Sequence, residues 1–240
     1  MNMKIEVLFP EICNLCGDLM NVRYLQQSCP EIEVVETDLK SRPRFLDEEI
    51  ALVYLGSATE RGLELIVQAL TPVKAELQAK LDAGQLMLVT GNALDALSLS
   101  ADSDEGWHLD GLGLLPTHAR YRMMQRHNSF YLGKFGEMDI VGFKSLFGHT
   151  YEAPETDALF TTVRGMGRNE NTALEGWRIG NLLATYVTGP LLVLNPPFAQ
   201  YILQLMGVEH PTIAFEEAAM DAYRIRVAEF SEESRPWLYH

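Results

Sequence analysis

The chain has 240 residues, of which 47% are hydrophobic and 22% charged, a balance typical of a globular domain that buries a proper core. With 19 basic against 33 acidic residues, its formal net charge is −14. This acidity, without any basic run, argues against binding nucleic-acid phosphates and against docking on an anionic membrane. We therefore expect neither a nucleic-acid nor a membrane partner.

The N-terminal residues predict a first strand and not a secretory signal, because the apolar run from Ile5 to Phe9 is short. No stretch approaches the roughly 18 apolar residues of a membrane span. Three cysteines, an odd number, fit a reducing compartment better than a disulfide framework. Together these features predict a cytoplasmic protein.

Strands and helices alternate in the first part of the chain. Pro72 should split the helix that begins near Glu60, because proline removes a backbone hydrogen bond. The alternation indicates βαβ units around a mostly parallel sheet. The predicted strands are 4–9, 32–36, 50–55 and 85–89, and the predicted helices are 19–27, 60–70, 73–81 and 93–99.

The second part of the chain has short segments separated by glycines, as antiparallel strands often are. We expect a three-layer α/β fold of flavodoxin-like type, with antiparallel strands in this second half. Residues 1–208 should form one domain, and residues 209–240 a helical extension packed on it. The predicted strands are 119–125, 129–132, 140–143, 159–163 and 179–186, and the predicted helices are 196–206 and 212–230.

The turn Leu88-Val89-Thr90-Gly91-Asn92 follows a buried strand. Ligands of open α/β sheets bind at the carboxyl ends of the strands. Hydrolases and amidotransferases place a nucleophile on such a sharp turn, beside backbone N–H groups that stabilise an oxyanion. Taken alone the pattern has little specificity, because many strand-to-helix turns contain glycine.

Four further segments follow one another in the order found in a known family: 14–21 (NLCGDLMN), 55–58 (LGSA), 140–151 (IVGFKSLFGHTY) and 184–196 (ATYVTGPLLVLNP). Over roughly residues 3–207 the chain resembles class I glutamine amidotransferase domains of the cobyric-acid-synthase (CobB/CobQ) type. Within them it resembles in particular the glutaminase subunits of lipid II isoglutaminyl synthases. The resemblance implies an oxyanion hole formed in part by Gly56 and its neighbours. It also implies glutamine as ligand, and an ATP-dependent, Mur-ligase-like or cobyric-acid-synthase-like partner in cell-wall or cobalamin biosynthesis.

The sequence departs from this family where the chemistry is expected. Thr90 stands where the family has a catalytic cysteine, and Thr188 where it has the histidine that activates it. Asn92 replaces a glycine, and Leu94 a glutamine. A threonine hydroxyl is a far weaker nucleophile than a thiolate, and Thr188 cannot act as a base. A β-branched residue at positive φ costs roughly 1–3 kcal/mol, so we expect the turn at Thr90 to have relaxed.

The candidate site comprises vestigial catalytic positions and a ligand pocket, and we expect no intact catalytic residue, no cofactor and no metal. Asp18 and Glu60, near the expected mouth of the site, are explained equally well as residues that bind a polar ligand and as helix caps. The pocket residues are Gly56, Ser57, Thr90, Gly91, Asn92, His149 and Thr188.

Cys13 and Cys16 form a CxxC pair, which elsewhere marks redox or zinc chemistry. No second CxxC and no closely spaced histidine pair accompanies it, so two thiols in a loop are the simpler interpretation. Cys16 as a displaced nucleophile stays an alternative.

Two hypotheses of function follow. The first is a degenerate glutamine amidotransferase-like protein that lacks glutaminase activity and acts as a binding or partner subunit of an amidating enzyme. The second is an active enzyme, either of altered chemistry in the same crevice or supplying ammonia from a displaced nucleophile.

Overall fold

The structure, a computed structural model, describes residues 3–151 and 157–238. In its first part the elements are β1 (Lys4–Leu8), α1 (Leu19–Ser28), β2 (Glu33–Thr37), β3 (Leu52–Leu55), α2 (Glu60–Leu70), α3 (Lys74–Asp82), β4 (Met87–Thr90) and α4 (Leu94–Leu97). In its second part the strands are β5 (Ser100–Ser103), β6 (His108–Asp110), β7 (His118–Tyr121), β8 (His127–Phe135), β9 (Met138–Leu146), β10 (Gly148–Tyr151), β11 (Phe160–Arg164), β12 (Leu174–Glu175), β13 (Trp177–Ile179) and β14 (Leu182–Thr185). The helices that follow are α5 (Leu191–Leu194), α6 (Pro196–Leu205) and α7 (Glu216–Ser231).

A six-stranded central sheet in the order β13-β14-β4-β3-β1-β2 organises the chain. All its pairings are parallel except that of β13 with β14. Side chains alternate between its faces, so that α1, α5 and α6 cover one apolar layer and α2, α3 and α4 the other. This three-layer α/β arrangement confirms the predicted fold class.

Two four-stranded sheets, β10-β7-β5-β6 and β12-β11-β8-β9, follow the central sheet and are antiparallel apart from the β5–β7 pair. Helix α7 lies on β8 and β9. The Phe130 and Phe230 rings stack at 4.5 Å, and the Tyr223 hydroxyl donates to the Asp139 carbonyl at 2.8 Å. The division of the chain at residue 208 stays a prediction.

Several element boundaries differ from the predictions for local reasons. The segment 179–186 is a hairpin, because Gly180 at φ 58° reverses the chain between β13 and β14. Helix α7 begins only at Glu216, because Phe215 has a left-handed φ of 56°. Strand β7 ends at Tyr121 in a turn. The predicted helix 93–99 shortens to α4, and β5 and β6 were not predicted.

The proline effect was predicted correctly: a 3-10 turn, Thr71–Val73, separates α2 from α3. Among the described residues no helix is long and apolar enough to cross a membrane.

Candidate functional site

A cavity of about 180 Å³ opens at the carboxyl ends of the central strands. The loop from β3 into α2 contributes Ser57 to Glu60, and the turn after β4 contributes Gly91 and Asn92. The polar or charged side chains on the remaining wall are Cys16, Tyr121, Arg126, Ser145, Tyr186 and Thr188. The cavity therefore lies where the parallel sheet predicts a ligand site.

Thr90 ends β4 with φ −121° and ψ 151°, an extended conformation, and the positive φ of 64° falls on Gly91. The turn is thus relaxed at Thr90 itself, as the sequence predicts. Its side chain is fully buried, with Oγ1 2.8 Å from the Tyr54 hydroxyl and donating to Asp18 Oδ2 at 2.9 Å. Thr90 therefore points into the fold and does not line the cavity, which corrects its assignment to the pocket.

Asp18 is fully buried beneath the wall formed by Ser57. Its Oδ2 accepts hydrogen bonds from the Ser57 backbone N–H at 2.8 Å, from Ser57 Oγ at 2.6 Å and from Thr90. Burial raises the pKa of the Asp18 carboxyl, and these hydrogen bonds oppose the rise. Although Asp18 precedes α1, its side chain makes no cap hydrogen bond. The carboxylate fixes the loop at Ser57 instead.

Gly91 lets the two loops of the site meet. A Cβ atom at Gly91 would lie 1.9 Å from Ser57 Oγ and 3.3 Å from Thr188 Cγ2, so only glycine fits this contact. Thr188 is held by Phe143, whose carbonyl accepts from the Thr188 backbone N–H at 2.9 Å and from its Oγ1 at 3.2 Å. Ser57, Gly91 and Thr188 are therefore brought together at the cavity.

The backbone N–H groups of Ser57 and Ala58 both have acceptors within the chain. The Ser57 N–H donates to Asp18, and the Ala58 N–H donates to Asn92 Oδ1 at 3.1 Å. The family resemblance implies that this loop forms part of an oxyanion hole. The two N–H groups are donors of that loop. Both are already used by side chains of the protein.

Two predicted pocket residues lie elsewhere. A Cβ at Gly56 would lie 2.6 Å from the Cys13 carbonyl oxygen, so this glycine faces the packed interior. His149, on β10, packs its ring 5.6 Å from that of His127, which in turn lies 6.2 Å from Trp237 near the C-terminus. Burial lowers the pKa of His127 and of His149 to about 4, so both are neutral near pH 7.

A second buried carboxylate lies behind the cavity. Asp95 accepts from the Tyr121 hydroxyl at 2.5 Å and from the Tyr186 hydroxyl at 2.6 Å, and both tyrosines line the cavity. Burial raises the pKa of Asp95 to about 7. This cluster was not predicted from the sequence, where a lone acidic residue inside the apolar run 93–97 is its one local signal.

The two cysteines of the CxxC pair have different surroundings. Cys13 is fully buried, and burial raises its thiol pKa to about 12. Cys16 is exposed in the cavity wall, where partial burial and then Asp18 raise its pKa, while Arg126 opposes the rise. Within residues 3–151 and 157–238, no group of three or more His, Cys, Asp or Glu side chains could hold a metal ion.

Two known proteins are similar in sequence to most of this chain. The chain is 25% identical over 210 residues to the GatD subunit of lipid II isoglutaminyl synthase (glutamine-hydrolyzing) from Staphylococcus aureus, covering 87% of this chain and 85% of GatD. The Streptococcus pneumoniae GatD subunit is 23% identical over 208 residues, covering 82% of this chain and 77% of the relative. No family model matches the chain.

Solved structures share the fold at low identity. PurLQS from Thermotoga maritima superposes with a TM-score of 0.55 at 12% identity, covering 94% of this chain and 99% of that one. A glutamine amidotransferase crystal structure gives 0.56 at 14% identity, covering 85% and 99%. The glutaminase domain of Trypanosoma brucei CTPS gives 0.53 at 11% identity, covering 85% and 93%. The chain is thus similar in sequence to GatD subunits and has the fold of glutamine amidotransferase domains.

Proposed function

We propose that the chain is a degenerate glutamine amidotransferase-like subunit of the cobyric-acid-synthase type that lacks glutaminase activity. One observation carries the proposal: Thr90, at the nucleophile position, is fully buried and hydrogen-bonded to Asp18. A hydroxyl held in this way donates its proton to a buried carboxylate and has no access to a ligand in the cavity. Thr188, at the position of the activating histidine, donates its hydroxyl to the Phe143 carbonyl and provides no base.

The surroundings of Thr90 support the same proposal. Glutamine hydrolysis requires free donors for the oxyanion, and the donors of Ser57 and Ala58 are occupied by Asp18 and Asn92. The loss of the cysteine is therefore matched by a closed oxyanion loop. Restoring the cysteine alone would leave the backbone donors of Ser57 and Ala58 occupied.

The test is ammonia release from glutamine by the purified chain, with Staphylococcus aureus GatD in its native complex as the positive control. We expect a rate at least about 10⁴-fold below the control, because a missing nucleophile costs that much or more. Turnover at the rate of the control would overturn the proposal.

A rescue series probes the closed loop. Thr90→Cys with Thr188→His should not restore full activity, and adding Asn92→Gly should raise the residual rate further. Full rescue by the double variant alone would contradict the part of the proposal that concerns the loop.

We further propose that the chain works with an ATP-dependent, ligase-like partner in an amidating complex, in the cytoplasm. The relatives support this, because both are named as subunits of a synthase. Purification of the chain from its native extract should yield a ligase-like protein in stoichiometric amount, identified by mass spectrometry. A strictly monomeric chain in that extract would count against the complex.

The second candidate function, a glutaminase with Cys16 as a displaced nucleophile, is favoured by one observation: the thiol lies in the cavity wall. Its raised pKa disfavours the thiolate at neutral pH. Any ammonia release that Cys16→Ser abolishes would establish this alternative; we expect the variant to behave like the wild type.

A further inference from the structure

The carboxamide of Asn92 occupies a binding position of the cavity. Asn92 lines the cavity and is half-buried, and its Oδ1 accepts the Ala58 backbone N–H at 3.1 Å. Ala58 also lies in the cavity wall, directly before the N-cap of α2. A backbone donor in a ligand cavity is therefore bound to an amide oxygen that belongs to the protein.

The contact between Asn92 and Ala58 has the chemistry of a carboxamide bound to a backbone N–H. The Asn92 side chain ends in a primary carboxamide, the same group that ends the side chain of glutamine. The position beside Ala58 N–H thus accepts a carboxamide oxygen, and in this chain Asn92 supplies it. A carboxamide ligand would have to displace Asn92 to form the same hydrogen bond.

The neighbouring backbone donor, on Ser57, has a buried acceptor instead. The Ser57 N–H is bound by Asp18, which is fully buried and also holds Ser57 Oγ and Thr90. Asn92, by contrast, is partly exposed, and its Oδ1 contact with Ala58 is the link that a single substitution can remove. Asn92 is therefore the residue whose substitution can change which ligands the cavity binds.

We propose that Asn92 is a specificity-determining residue, which excludes carboxamide ligands from the cavity by holding the Ala58 N–H with its own carboxamide. The proposal rests on the proposed function, because it takes the cavity as the former glutamine site. It goes further by naming the side chain that decides whether the amide group of such a ligand is recognised.

The test compares glutamine with norvaline, which has the same amino-acid head and a side chain of similar length without the carboxamide. Binding is measured by isothermal titration calorimetry on the full chain. The wild type should bind the two within about threefold of each other. Asn92→Gly and Asn92→Ala should bind glutamine about three- to tenfold more tightly than the wild type, with norvaline unchanged, since about one hydrogen bond is gained.

Asn92→Asp is the matched control, because it keeps an acceptor for the Ala58 N–H and should gain no glutamine affinity. Thermal unfolding checks that each variant is folded, and the wild-type comparison of the two ligands needs no variant. The proposal is overturned if the wild type prefers glutamine more than tenfold, if neither variant lacking the acceptor gains affinity, or if Asn92→Asp gains as much as they do.

The proposed function can fail separately. Ammonia release by the wild type would overturn the lack of glutaminase activity whatever the binding data show. An unchanged ligand preference in Asn92→Gly would overturn the role of Asn92 while leaving the inactive Thr90 position untouched.

Discussion

Two buried carboxylates flank the cavity, and they are satisfied in different ways. Asp18 takes three hydrogen bonds on Oδ2, while its buried Oδ1 has no partner among the described residues. Asp95 takes one phenol hydroxyl on each oxygen. Asp18 thus binds the backbone of the loop from β3 into α2, whereas Asp95 joins α4 to Tyr121 and Tyr186.

The difference separates the polar contacts at the turn after β4 from those behind the cavity. The Asp18 cluster takes Thr90 as one more hydrogen-bond donor, so this side chain contributes to packing. The Asp95 cluster lies behind the cavity and links separate sheets without involving Thr90 or Thr188. Of these two polar centres at the cavity, only the Asp18 cluster includes Thr90.

The largest expected effect is the pH dependence that Asp95 confers. Its pKa of about 7 in the folded state exceeds the unfolded value of about 3.9, so the folded chain binds more protons between these values. The stability contribution is fully present below about pH 4 and is lost as the pH rises through 7. It amounts to about 4 kcal/mol at most.

Asp95→Asn removes this titration. In urea unfolding, the stability of the wild type relative to Asp95→Asn should fall between pH 4 and pH 8. The exposed Glu137→Gln serves as the control, with no such change expected. Parallel profiles for the wild type and Asp95→Asn would refute the assignment.

The second-largest expected effect comes from removing the carboxylate of the Asp18 cluster. Asp18→Ala leaves the buried Ser57 N–H without its acceptor and should lower the free energy of unfolding by about 3 kcal/mol, because a lost charged acceptor adds to a small cavity. Asp18→Asn, which keeps one acceptor oxygen, should lose less. Chemical denaturation at pH 7 measures both, and equal losses would show that the carboxylate itself is not what fixes the loop.

The smallest expected effect comes from removing the Thr90 hydroxyl alone. Thr90→Val keeps the shape of the side chain but removes the hydroxyl, and should cost about 1 kcal/mol, because Asp18 and Tyr54 keep other partners. Thr90→Ser, which keeps the hydroxyl, should cost less in the same denaturation assay. A loss above about 3 kcal/mol for valine would mean that Thr90 organises its cluster.

The middle of the central sheet could be predicted because β3 and β4 lie in continuous apolar runs that end in turns, after Leu55 and Val89. The hairpin at Gly180 was missed because one glycine inside an apolar segment fits a strand as well as a reversal. The late start of α7 depends on a left-handed Phe215, for which the sequence contains no signal.

The candidate site could be predicted in part. Ser57, Gly91, Asn92 and Thr188 line the cavity, since each follows the end of a central strand. Tyr121 and Arg126 reach it from the second half of the chain, through contacts that no local pattern encodes. The side-chain direction of Thr90 also could not be read from sequence, because it depends on the buried partners Tyr54 and Asp18.

Gly91 has a consequence for how relatives of this chain are interpreted. Its missing side chain leaves room for Ser57 Oγ, 1.9 Å from where a Cβ would stand, and its backbone is left-handed. This requirement comes from the packing of two loops and holds whether or not the turn performs any reaction. Selection for a folded chain alone would therefore retain this glycine. Its presence after β4 is a requirement of packing and by itself no sign of a reaction at the turn.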